Sequence, residues 1–224
     1  MDKFFENAYK NMPDEARESF FMSIFMNDPS EYAAKVRLDY YQSKLKHMGE
    51  NVRIGVGVKI VNPGFIFLGD NVRIADHCTL IARGEGGITI GDNVNINDRV
   101  YLDTESSETG YIKIENNVYI GTGTTLFGHK GLEIGDHVLM AQNITLTPYS
   151  HIFDDPDSNI ITQGGHSKKV VIGRDSYIGM RSTIMYSGDI GEGSVIGAGS
   201  VVVKPIPPYS VAVGCPAKVI RKRG

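Results

Sequence analysis

With 224 residues, 41% hydrophobic content and a formal net charge of −3, the chain can bury one large core and lacks the positive balance of an electrostatic nucleic-acid binder. No apolar run approaches the roughly 18 residues of a membrane span, and residues 1–10 lack the basic and apolar regions of a signal peptide, so the expected location is the cytoplasm. Two cysteines, Cys78 and Cys215, without a CxxC spacing, give no reason to expect a disulfide or a thiolate metal site.

Residues 1–48 carry apolar side chains at helical spacing: Phe4 and Ala8; Phe21, Ile24 and Phe25; Ala33, Val36, Tyr40 and Leu45. Breaks near Pro13 and Pro29 divide them into two or three helices. A helical cap of this kind would cover the exposed strand edges of a repeat that follows it.

Over residues 49–203 an aliphatic residue recurs every six positions. It falls at Leu68, Ile74 and Leu80; at Ile90, Ile96 and Leu102; at Ile114, Ile120 and Leu126; and at Ile134, Met140 and Leu146. It then runs unbroken through Ile172, Ile178, Ile184, Ile190, Ile196 and Val202. Six is too long for a helix face and is an even multiple of the strand period, so each unit reads as a short strand plus a corner, three units to a turn. In Ile90-Gly-Asp-Asn-Val-Asn95, Ile90 and Val94 point inward while Gly91, Asp92 and Asn93 take the bend. Coils stacked at the ~4.8 Å strand spacing give about six turns around a column of Ile, Val and Leu. The six-residue step lengthens only after Leu80, Leu102, Leu126 and Leu146, so every insertion leaves from one corner of the prism. The longest, residues 147–171, is a protruding loop, and loops on rigid scaffolds are where chemistry concentrates. Residues 204–224 turn proline-rich and then basic, and are expected to leave the repeat and pack along its outside.

Ile196-Gly-Ala-Gly-Ser-Val-Val-Val-Lys204, followed by Ile206-Pro-Pro-Tyr-Ser210 and Gly214-Cys-Pro-Ala-Lys-Val-Ile220, resembles the C-terminal signature of the hexapeptide-repeat acyltransferases. Within them it looks most like the galactoside, maltose and nodulation-factor acetyltransferases and the O-acetyltransferases of bacterial surface polysaccharides. The likeness covers residues 50–223. It implies a left-handed parallel β-helix, an exception to the right-handed crossover rule, a homotrimer with active sites between neighbouring prisms, and acetyl-CoA as acyl donor with no metal required. Periodicity by itself fixes neither handedness nor assembly.

In that family the catalytic histidine follows an Asn-x-Thr-hydrophobic stretch, which Asn143-Ile-Thr-Leu-Thr-Pro-Tyr-Ser-His151 matches; the resemblance therefore implies that His151 is the catalytic base. Moving an acetyl group from a thioester to a sugar hydroxyl needs a base, because an alcohol is a poor nucleophile at neutral pH, and an imidazole near pKa ~6.5 suits that task. No Ser-His-Asp or activated cysteine arrangement is evident, which favours direct attack over an acyl-enzyme. His166 in the same loop is the reserve candidate, Asp154 or Asp157 the candidate to orient the imidazole, and His77, His129 and His137 read as structural. For the donor, Gly197, Ala198 and Gly199 allow close approach of a pantetheine arm, and Lys204, Lys218 and Arg221 would meet its phosphates. The chain departs from the family at Tyr177, where a tryptophan is usual, at Tyr186-Ser-Gly-Asp189 in place of Pro-Gly-Val, and around Thr124 and Thr125, where a pocket asparagine is usual. Simple galactosides and maltose are accordingly expected to be poor acceptors.

The leading expectation is an acetyl-CoA-dependent O-acetyltransferase acting on a sugar of a surface polysaccharide or its precursor. The runner-up is an N-acetyltransferase acting on a nucleotide-linked amino sugar. A zinc β-helix hydratase, which would need three imidazoles converging tetrahedrally, and a non-catalytic β-helix rank below them.

Overall fold

The structure is a computed structural model that describes residues 11–106 and 108–224. The helix expected around Phe4 and Ala8 lies outside the described residues. Two helices open the described chain, α1 (Asp14–Ile24) and α2 (Glu31–Gln42). Ser30 caps α2 by accepting from the Ala33 N–H at 3.2 Å. Among the described residues, no helix is long and apolar enough to cross a membrane.

Three faces of short parallel strands follow, forming a left-handed β-solenoid of about seven turns. The first face carries strands from His47–Met48 to Val170–Ile172, the second from Arg53–Ile54 to Ser210–Val213, and the third from Lys59–Val61 to Val201–Val202. Ile172 pairs with Ile190 one uninterrupted turn later. The six-residue aliphatic beat is the inward column: Leu68, Ile90, Ile114, Ile134 and Ile172 on the first face and Leu80, Leu102, Leu126, Leu146 and Ile184 on the third are all buried. Stacking one such residue on the next turns a short repeat into a continuous core, so no coil is stable alone.

The corners are held by side-chain ladders. Asn51, Asn71, Asn93 and Asn117 all adopt left-handed φ of 55–59°. Their amides hydrogen-bond in series, Nδ2 to Oδ1, at 3.2, 3.1 and 3.3 Å. Beside them Asp70, Asp92 and Asn116 each accept from a backbone N–H one coil below, at 2.7–2.8 Å. Asparagine suits these bends because it tolerates the left-handed region and satisfies a neighbour at the same time.

The lower edge of the first coil has no preceding coil to pair with, and α2 takes that part. Higher in the prism, Ile74 O and Cys78 O accept from the coil below. Their first-coil counterparts instead accept from α2: Ile54 O from Arg37 Nε at 3.5 Å, and Val58 O from the Tyr41 hydroxyl at 3.0 Å. Covering strand carbonyls in this way removes a template for edge pairing.

The insertions emerge where their spacing put them, between the third and first faces. The C-terminal residues differ from expectation. Residues 204–213 do not leave the prism: Ile206 bridges Ile190, and Ser210–Val213 pairs in parallel with Val195–Ile196. Pro205, Pro207 and Pro208 fall at the corner, while Ile206, between them, keeps the N–H that bonds Asp189 O at 2.8 Å. Only Lys218–Lys222 turns back, antiparallel to Ser210–Val213, and covers the final edge.

Candidate active site

The long insertion is an arm rather than a loose loop. Tyr149–His151 pairs antiparallel with Gly165–Ser167. Its tip is closed by Asp155, whose carboxylate accepts from the Asp157 N–H at 3.0 Å and the Ser158 hydroxyl at 2.7 Å, and these bonds hold its pKa below the ordinary value. Its returning strand is tied to the prism by Lys169 with Glu133 at 3.1 Å and Lys168 with Asp189 at 3.5 Å.

His151 stands exposed on this arm, with the Tyr149 ring edge-on at 5.0 Å and 87°. In an antiparallel pair, opposed residues share a face and neighbours alternate. His151 opposes Gly165, whereas His166 opposes Ser150, so the reserve histidine points to the other side of the arm. No carboxylate hydrogen-bonds the His151 ring among the described residues, and neither Asp154 nor Asp157 orients it.

Tyr149 continues a row of rings that sequence reading did not anticipate. Tyr101 meets Phe127 at 6.0 Å, Phe127 meets His129 at 6.3 Å, and His129 stacks on Tyr149 at 4.8 Å with an 18° interplanar angle. The residues come from two successive third-face strands, the short insertion before Ile134, and the arm. They are separated in sequence and adjacent only because the coils stack.

Beside the row lies a closed ion pair. Asp103 is fully buried at an outward position of its strand, closed in by Arg83, Tyr101 and the backbone of Glu105. It accepts from Arg83 Nε and Nη2 at 2.8 and 2.7 Å, from the Tyr101 hydroxyl at 2.9 Å and from the Glu105 N–H at 2.8 Å. Burial pushes the Asp103 carboxyl up; the Arg83 fork with the other donors outweighs it and holds the pKa below the ordinary value. For His129, burial pulls the imidazole pKa down, against the opposing pull of Glu105 and Asp103.

The four residues read as donor-binding fall into separate places. Ala198 is exposed at the corner between the second and third faces. A Cβ on Gly179 would lie 2.5 Å from the Ala198 nitrogen, so that glycine is what lets the two coils close here. Lys218, opposite Val213, comes to the same corner. Arg221 lies at the other end of that strand, and Lys204 at the corner from which the arm leaves. Arg181, which the sequence reading omitted, sits one coil below Gly199, whose N–H bonds Met180 O at 2.8 Å. Among the described residues no contact joins His151 to Ala198, Lys204, Lys218 or Arg221. No group of three or more His, Cys, Asp and Glu is arranged to hold a metal ion among the described residues.

Residues 169–204 match the family model described as a hexapeptide repeat of succinyl-transferase. The chain is 32% identical over 189 residues to a dTDP-4-amino-4,6-dideoxy-D-glucose acyltransferase of Escherichia coli, covering 83% of this chain and 88% of that one. It is 37% identical over 136 residues to the galactoside O-acetyltransferase of E. coli strain K12, covering 60% and 63% respectively. It is 36% identical over 165 residues to a probable acetyltransferase of Mycobacterium tuberculosis, of which it spans about half the length, 52%. Among solved structures it is similar to AntD, an N-acyltransferase from Bacillus cereus in complex with dTDP and 3-hydroxybutyryl-CoA, with a TM-score of 0.59, 25% identity and coverage of 89% and 92%. On this fold and these likenesses, the chain belongs to the hexapeptide-repeat acyltransferases.

Proposed function

We propose that the protein transfers an acetyl group from acetyl-CoA to a sugar hydroxyl of a surface polysaccharide or its precursor, with His151 as general base. The observation that carries this reading is the exposed His151 on a braced arm, at the end of a row of aromatic rings suited to an apolar sugar face. His151 takes the hydroxyl proton as the oxygen attacks the thioester carbon. The tetrahedral oxyanion collapses, the carbon–sulfur bond breaks, and the proton passes to the departing CoA sulfur. Cys78 is no competing nucleophile, since burial pushes its thiol pKa up to about 11. Ala198, Lys204, Lys218 and Arg221 bind the donor, with Arg181 added to them.

The reading takes residues 1–48 as a helical cap, 49–203 as the catalytic prism with its 147–171 arm, and 204–224 as the donor-side tail. It locates the enzyme in the cytoplasm, where acetyl-CoA is at hand. It also calls for a homotrimer, because one chain leaves the arm that carries His151 on a different corner from Ala198 and Lys218. A second reading, N-acyl transfer to a nucleotide-linked amino sugar, is favoured by the 88% coverage of the dTDP-amino-sugar acyltransferase.

The test is thiol release from acetyl-CoA with a panel of sugars, nucleotide-sugars and amino sugars, on wild type and His151→Ala. Acceptor-dependent release that falls about a hundredfold or more in the variant, the scale of a lost general base, supports the mechanism, and the product's ester or amide separates the two readings. Normal turnover by the variant removes His151 from the chemistry.

A further inference from the structure

His129 Nδ1 is a buried side-chain atom without a hydrogen-bond partner. Its ring is clamped between Tyr149, stacked at 4.8 Å, and Phe127, so it does not turn to find one. Nε2 is not enclosed in that way and is engaged by no group among the described residues. Buried polar atoms are nearly always satisfied, and an orphan beside the candidate base points to a missing ligand or to a forced protonation state.

Here the burial decides the tautomer. A proton on Nδ1 would enclose an N–H with no acceptor, and an imidazolium would add an enclosed charge. With the proton on Nε2, only a lone pair is left inside. Asp103 and Glu105 pull toward the charged form, but the Asp103 oxygens are already occupied by Arg83, Tyr101 and the Glu105 N–H. His129 therefore presents a neutral Nε2–H outward, one ring away from His151 across Tyr149.

We propose that His129 is the hydrogen-bond donor of the acceptor subsite, its neutral Nε2–H holding an oxygen of the incoming sugar beside Tyr149. This rests on the transferase reading and assigns the two histidines opposite tasks. His151, exposed, accepts a proton; His129, enclosed, stays neutral and donates a hydrogen bond. Two like groups driven apart by their surroundings are a recurrent way to obtain a base and a donor from one side-chain type.

The test has two arms. In ¹⁵N-histidine-labelled full-length protein, long-range ¹H–¹⁵N correlation is expected to show one imidazole as the neutral Nε2–H tautomer at pH 7, its signals missing from His129→Gln and His129→Asn. Kinetics on the panel's best acceptor separate role from fold, because a glutamine amide nitrogen falls near Nε2 and an asparagine amide nitrogen near Nδ1. The acceptor KM is expected to rise about tenfold in His129→Asn and to stay near wild type in His129→Gln, with the acetyl-CoA KM unchanged in both. An Nδ1–H tautomer or an imidazolium at pH 7, or equal acceptor KM in the two variants, overturns the role of His129 while thiol release by wild type leaves the transferase reading standing. Absence of thiol release with every acceptor overturns both.

Discussion

Tyr149 lies across Gly165: a Cβ built on that glycine would fall 2.1 Å from the phenol oxygen and 2.2 Å from Cζ. No side chain fits there unless the ring moves, and the ring sits between His129 and His151. Gly165→Ala is therefore expected to lower thiol release about tenfold or more. The arm lies outside the aliphatic column, so the melting temperature should move by only a few degrees. Full activity in Gly165→Ala would detach the ring row from the chemistry.

Arg83 and Asp103 give a stability prediction with a defined pH dependence. Replacing Arg83 by Met leaves a buried carboxylate short of two charge-assisted donors, a loss of about 1–3 kcal/mol at neutral pH. In wild type the Asp103 pKa is lowered on folding, so its contribution is present above the ordinary carboxylate value and fades as pH falls through the folded one. In the variant the remaining burial raises the carboxyl pKa, so folding is favoured when it is protonated. The gap between the two proteins in urea unfolding should be widest near pH 7 and close toward pH 4. A gap independent of pH would mean that lost packing of the Arg83 stem, not the charge, accounts for the cost.

The period-six column was legible because each inward residue repeats the same local choice, aliphatic then Gly, Asp or Asn at the bend. The insertion corner was legible for the same reason, since extra residues break the beat only after Leu80, Leu102, Leu126 and Leu146. What escaped depends on neighbours in space. His129 reads as filler in its own insertion, and only the stacking of coils sets it against Tyr149. The arm hairpin escaped because Gly165, His166 and Ser167 have neither strand propensity nor alternation and are held by pairing with Tyr149–His151. The last coil escaped because three prolines in residues 204–208 look like a terminator, although the N–H that the ladder needs belongs to Ile206.

The proposed donor corner is testable without knowing the acceptor's identity in detail. Lys218, opposite Val213 on the edge strand, and Arg181, one coil below Gly199, lie at the corner that carries Ala198, and neither makes an ion pair among the described residues. Arg181→Ala and Lys218→Ala are each expected to raise the acetyl-CoA KM severalfold with kcat little changed, an effect that shrinks as salt screens the phosphates. Whichever residue meets the 3′-phosphate should lose its effect when dephospho-CoA thioester is the donor. Unchanged KM in both variants would move the donor away from this corner, toward Lys204.

Tyr119, Leu139 and Tyr177 stand in register on the outward side of the second face, 39%, 45% and 39% exposed. Toward the N-terminus the same column becomes Arg53, Arg73 and Asn95, so the apolar stripe occupies only the later coils. A flat parallel face has no reason to display three large apolar side chains in line unless a second surface covers them. If that surface is another copy of the chain, light scattering should give a mass near three times 24.6 kDa for wild type. Leu139→Asp would place a charge in the stripe and should reduce the mass toward one chain, while the cooperative thermal transition persists because Leu139 contributes nothing to the inward column. Thiol release should fall with the mass, since the donor corner and His151 are then no longer presented to each other by neighbouring prisms. An isolated chain that keeps full activity would mean that the arm itself carries His151 across the third face to the donor of the same prism.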